Sequence, residues 1–125
     1  MSTTEQLERL LRKYYGYVAD LEGAGVEILD LLAIRDQIQL LLEQSTPESV
    51  LSQRLYNQVY QLDDVFWRER DVFLQVIGGR ELRHARLQRQ SPRSHWWWYL
   101  DQLKASPRVV GEPGQWLARA FAPAG

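Results

Sequence analysis

The amino-acid sequence predicts an all-α fold: an antiparallel helical bundle or long helical hairpin of three main helices, followed by short C-terminal helices. Apolar residues recur at the i, i+3, i+4, i+7 spacing of one helix face over three long stretches. Glycine and proline gather in a few short breaks between those stretches, where they end helices. No alternating strand pattern, internal repeat or low-complexity tract accompanies them. At 125 residues and 45% hydrophobic, the chain is long enough to bury a core; a domain of this size hides roughly 65–70% of its unfolded surface. Residues 1–105 are expected to form the helical domain and 106–125 a C-terminal tail, loosely docked or flexible.

The first helix is read over about residues 4–22. Leu7, Leu10, Leu11, Tyr14, Tyr15, Val18 and Leu21 share one face, and Glu5, Glu8, Arg12, Lys13 and Asp20 fall mostly between them. Thr4 is the expected N-cap, with Glu5 in a first turn whose dipole favours acid. Gly23-Ala24-Gly25 should end the helix, since each interior glycine costs about 1 kcal/mol.

A second helix is read over about 26–44. Val26, Leu29, Leu32, Ala33, Leu40 and Leu41 make one stripe, widened by Ile28, Leu31, Ile34, Ile38 and Leu42 to most of the circumference. A helix apolar on nearly all sides belongs between other helices or between protomers.

Ser45-Thr46-Pro47-Glu48 is the clearest boundary: a cap, a proline suited to the first helical position, and an acid in the first turn. No glycine or proline then occurs until Gly78-Gly79. Leu55, Val59, Leu62, Phe66, Phe73 and Ile77 line one side, so a single helix of about 46 Å is expected over about 47–77. Such a rod would protrude or form a dimer seam. Arg80–Gln90 has helix-forming composition but a poor apolar stripe. Ser91-Pro92 predicts a further short helix over about 92–105, and the tail is read with one helical turn near Gln115–Ala120, docked by Trp116, Leu117 and Phe121 or loose in solution.

Charge is unevenly placed. Residues 1–77 carry thirteen acidic and seven basic groups, or −6, and residues 78–125 three and eight, or +5. The total of −1 argues against a surface built wholly for nucleic acid, which demands many cations. Attraction between the two halves, within one chain or across a dimer, is the plainer reading of the asymmetry. Zero cysteines exclude a disulfide framework, a zinc-thiolate site and a thiol nucleophile. The longest uncharged apolar run is far short of the roughly 18 residues of a membrane span. The first residues lack the basic-then-apolar order of a secretory signal, and a cytoplasmic setting is expected.

The one segment that composition would not predict is Arg80, Arg83, Arg86, Arg89 and Arg93 followed by Trp96-Trp97-Trp98-Tyr99. Residues three apart drift by about 60° per step on a helix, and neighbours by about 100°. The four arginines spaced by three therefore wrap half the cylinder, and three consecutive indoles cannot share one α-helical face. If Trp96, Tyr99, Leu100 and Leu103 face the core, Trp97 and Trp98 stand exposed, as partner-binding aromatics do. Three readings stay open: aromatics closing one end of the bundle with arginines stacked on them, a protein-binding surface, and a polyanion site using aromatic stacking.

Other constellations are weaker. Glu81 and His84 have Glu-x-x-His spacing, but the second copy that a di-iron bundle needs is missing. Asp63, Asp64, Glu69 and Asp71 alternate with Arg68 and Arg70, as on a solvated, salt-bridged face. Glu69 and Arg70 also lie near the seam between Phe66 and Phe73, where one buried polar group could fix register. The serines lack a Gly-x-Ser-x-Gly elbow. The expectation is therefore no catalytic residue, metal or cofactor. The chain reads as a non-enzymatic adaptor, assembly factor or regulatory partner presenting Trp96–Trp98, Tyr99, Arg80, Arg83, Arg86, Arg89 and Arg93 to another protein. The alternative is a small nucleic-acid-associated protein using residues 80–93. Excess apolar face predicts self-association, most simply a two-fold dimer.

Overall fold

The computed structural model describes residues 2–44 and 50–106. Every regular element among them is helical, and none is long and apolar enough to cross a membrane. The chain divides into two compact units, Met1–Ile77 and Gly78–Gly125. The boundary expected at 45–48 and nearly all of the expected tail lie outside the described residues.

In the first unit, α1 runs Thr3–Ala19 and buries Leu7, Leu11, Tyr14 and Val18 of the expected face, whereas Leu10 is half-buried and Tyr15, placed on that face by the sequence, is exposed. Its cap is Ser2 rather than Thr4: the Ser2 hydroxyl accepts the Glu5 N–H at 3.1 Å, which extends the helix one residue N-terminally. The helix stops before the glycines. Asp20 ends it and starts the one-turn α2 (Leu21–Ala24), its carboxylate accepting the Gly23 N–H at 3.0 Å. A 3-10 turn over Gly25–Glu27 follows, entered through Gly25 at a φ of 55° that favours glycine.

α3 spans Ile28–Gln44 and buries Ile28, Leu31, Leu32, Ile34, Arg35, Ile38 and Leu42. Of the stripe that the sequence suggested first only Leu32 is buried: Leu29, Ala33 and Leu41 are half-buried, Val26 is 97% exposed, and Leu40 is exposed too. The core face is the second stripe, with an arginine in the middle of it.

The long helix expected over 47–77 is two helices. α4 runs Val50–Arg68 and α5 Arg70–Ile77, parted at Glu69. Neither glycine nor proline causes the break. The Arg70 guanidinium lies 4.2 Å over the Trp67 ring and donates to the Trp67 carbonyl at 2.8 Å. An unbroken helix would offer that carbonyl to Asp71, and a side chain entering the ladder is a known cause of kinks. α1 packs against α3 and α4, and α5 against α2 and α3. Tyr14, Phe66 and Phe73 form an edge-to-face aromatic chain, with centroids 6.3 and 5.1 Å apart. At roughly 25 cal/mol per Å² of apolar surface buried, these stripes dominate the stability of the unit.

In the second unit, α6 covers Gly79–Arg89 and ends at Gln90 in the left-handed region, whose N–H reaches back to the carbonyls of Arg86 and Leu87. The helix expected over 92–105 does not form. Trp96–Trp98 make a single 3-10 turn flanked by bends.

Candidate functional site

The arginine–tryptophan segment departs from its expected geometry in an informative way. Trp96, Trp97 and Trp98 are all buried, the last two at 1% and 0% exposure. The expectation of exposed Trp97 and Trp98 assumed an α-helix with one buried side. A 3-10 turn instead spreads consecutive side chains about 120° apart, and this one is covered in every direction. His95 stacks on Trp97 at 4.7 Å, and Trp96 meets Trp97 edge-on at 5.6 Å. These indoles therefore offer no surface to a partner and no platform for an unpaired base.

The arginines sort onto two faces of α6. Leu82, Ala85, Arg86 and Arg89 follow the i, i+3, i+4, i+7 rule, and this is the packing face. Leu82 and Arg86 are buried, and Arg89 lies 5.0 Å over the Trp98 ring. Arg86 Nη1 donates to the Trp98 carbonyl at 2.9 Å and to Asp101 Oδ1 at 2.6 Å, and its guanidinium lies 4.9 Å over Tyr99. Tyr99 in turn donates to the Ser91 carbonyl. The poor apolar stripe is thus explained: Arg86 takes the place of a core hydrophobe, its head satisfied by carbonyl, carboxylate and ring, while Arg89 covers Trp98 from the exposed edge.

The opposite face carries Arg80, Arg83, His84 and Leu87 at the same i, i+3, i+4, i+7 spacing. All four are exposed, Leu87 at 69%. Among the described residues no carboxylate pairs with Arg80 or Arg83. Arg93 is also exposed, in the bend after α6. Of the nine residues expected to meet a partner, Arg80, Arg83, Arg89 and Arg93 are exposed, Tyr99 is half-buried, and Arg86 and the three tryptophans are buried.

The first unit holds a polar cluster that the sequence reading missed. Arg35 and Asp63 are each 2% exposed and form a bidentate pair, Nε to Oδ1 at 2.9 Å and Nη2 to Oδ2 at 2.8 Å. The buried Tyr14 hydroxyl donates to Asp63 Oδ1 at 2.6 Å. The remaining Arg35 donor Nη1 reaches Gln39 Oε1 at 3.1 Å. No buried side-chain nitrogen or oxygen among the described residues lacks a partner. Burial, then the Asp63 charge, pushes the Tyr14 hydroxyl well above its usual range. Burial pulls Arg35 down, but Asp63 outweighs it, so the guanidinium stays charged.

Asp63 thus corrects the solvated-face reading of the acidic run; Asp64 is exposed as expected. The buried polar groups are Asp63 and Arg35, not Glu69, which is exposed, or Arg70, which serves the break. A signal was present. Tyr14 lies between Leu11 and Val18, Arg35 between Leu31 and Ile38, and Asp63 between Val59 and Phe66, each at core spacing. The cluster is sealed from solvent, so it is an internal lock and not a place where substrate arrives.

Beside it, on the surface of the first unit, lies a groove of about 680 Å³ between α1, the corner at 20–27 and α3. Asp20, Glu27, Asp30, Tyr17 and one lysine, Lys13, line it. Burial and the charges of Asp30 and Glu27 raise the Tyr17 hydroxyl above its ordinary value, a mark of negative potential. No group of three or more metal-ligating side chains that could hold an ion is present among the described residues. Compared with protein-family models, curated proteins and solved structures, the chain matches none.

Proposed function

We propose that this chain is a non-enzymatic interaction module, an adaptor, assembly factor or regulatory partner of a cytoplasmic setting. It meets another protein through the outer face of α6. In this reading α1, α3 and the α4–α5 pair are the three main helices of an antiparallel bundle, and the chain self-associates, most simply as a dimer.

The observation that carries the proposal is the stripe Arg80, Arg83, His84 and Leu87: two cations without acidic partners among the described residues, beside an exposed leucine, on a helix whose other face is already occupied. A helix face of that kind suits an acidic surface with an apolar notch, the cations steering approach and the leucine supplying contact that salt does not screen. With the tryptophans buried, the chemistry expected of the site moves from indoles to guanidinium groups and one aliphatic side chain. The nucleic-acid alternative keeps the arginines but loses its stacking aromatics.

The test is affinity capture with the wild type against Arg80→Glu/Arg83→Glu/Leu87→Ser. Loss of a specific protein from the variant supports the proposal, and unchanged capture counts against it. A complex that instead contains nucleic acid, and weakens with a log–log salt slope of several units, would favour the alternative.

A further inference from the structure

The exposed face of α6 has a complement in charge on the same chain. We infer that α6 of one copy docks into the acidic groove between α1 and α3 of a second copy, with Arg80 and Arg83 against Glu27 and Asp30 and with Leu87 carried alongside. This rests on the reading of α6 as an interaction surface and names its occupant.

Three features point to a second copy. The first is charge: the half of the chain bearing the groove carries −6 and the half bearing α6 carries +5. In the groove itself three carboxylates face one lysine. Neither Glu27 nor Asp30 is paired with a cation among the described residues, just as neither Arg80 nor Arg83 is paired with an acid. The second is spacing. Glu27 and Asp30 are three residues apart at the entry to α3, and Arg80 and Arg83 three apart at the start of α6, so each pair is offset by about one helical turn. Two parallel contacts can form in one register.

The third is shape and chemistry. The groove is walled in part by Gly16, Ala24 and Ala33, whose small side chains leave room for long ones to enter. Tyr17 adds an aromatic ring, a surface that guanidinium groups favour. Each copy owns both halves of the contact, so a second copy supplies what the first lacks, and a reciprocal pair is the smallest assembly that satisfies both.

The test is a charge exchange read by light scattering. All four charged positions are exposed, so reversal leaves the core intact, which circular dichroism checks. The wild type should be dimeric at about 50 mM salt and shift toward monomer at about 500 mM. Arg80→Glu/Arg83→Glu and Glu27→Lys/Asp30→Lys should each weaken self-association by about tenfold or more. Mixing the two variants should restore a one-to-one dimer, because each supplies the charge that the other now needs. A monomeric wild type at low salt, a dimer indifferent to both reversals, or a mixture that stays monomeric would overturn the inference. A monomeric wild type whose α6 variant still loses a specific protein in the capture experiment would sink the second-copy occupant and leave the interaction surface standing. A monomeric wild type together with a capture pattern unchanged by the α6 variant would remove both.

Discussion

The two units place arginine inside in opposite ways. In the first, Asp63 is locked to both Arg35 and Tyr14, partners 28 positions away for the ion pair and 49 for the tyrosine–aspartate bond, so three helices must assemble before all of these groups are satisfied. In the second, Arg86 finds the Trp98 carbonyl 12 residues on and Asp101 15 residues on, and Arg89 leans on Trp98. The first is a long-range lock that only the complete core can close. The second is a local clamp that the chain makes with its own next turns. A buried charge pair adds little net stability over well-packed hydrophobes. Its contribution in the first unit is to penalise misaligned packings of the three helices, which would leave an ion stranded.

The largest effect that could break this contrast is loss of one partner of the lock. Arg35→Met or Asp63→Leu alone should cost about 3–5 kcal/mol, because the survivor is left charged and unpaired in the core. The double replacement should recover most of that, and denaturant melts of the four-way cycle measure the difference. Arg86→Met should cost less, about 1.5–3 kcal/mol, since Asp101 keeps a side chain 23% open to solvent. Equal losses at Arg35 and Arg86 would erase the distinction between lock and clamp.

Tyr14→Phe sharpens the comparison. It leaves the ion pair intact and removes one hydrogen bond to a charged acceptor, an expected loss of about 1.5–3 kcal/mol. Its pH signature is specific. The folded Tyr14 hydroxyl ionises above its ordinary value, so the stabilisation it gives is full below about pH 10 and is lost as pH rises through the folded value. Above about pH 10 the wild type should lose stability faster than Tyr14→Phe, by up to about 1.4 kcal/mol per pH unit. Parallel alkaline profiles would show that the hydroxyl is not protected. The smallest effect belongs to the clamp: Arg89→Ala should cost about 0.5–1 kcal/mol for the ring contact.

Much of the fold was legible because helix periodicity reports local packing. The α1 face, the glycine corner and the extent of α6 came from spacing and from Gly78-Gly79. What sequence alone concealed were choices that depend on partners far away or on one carbonyl. On α3 both stripes were apolar enough to be core, and only the position of α1 and α4 decides between them. The break at Glu69 has no glycine or proline to announce it, since it depends on a hydrogen bond from Arg70. The three indoles misled for a geometric reason. An α-helical step leaves some of them outside, whereas the tighter turn that the chain adopts lets all of them sink. For the site, the arginines were visible as a run, but which of those on α6 turn inward and which face solvent follows only from the way Leu82 sets the rotation of the helix.

The Asp20 carboxylate that holds the Gly23 N–H also occupies the place of a side chain at position 23: a methyl group there would sit 2.2 Å from Asp20 Oδ2. Gly16, across the same groove, has open space around it. Alanine should therefore be accepted at 16 and resisted at 23, where it would swing the aspartate off its amide and loosen the corner that leads into α3. One hydrogen atom on a backbone carbon thus keeps the mouth of the acidic groove in its present outline.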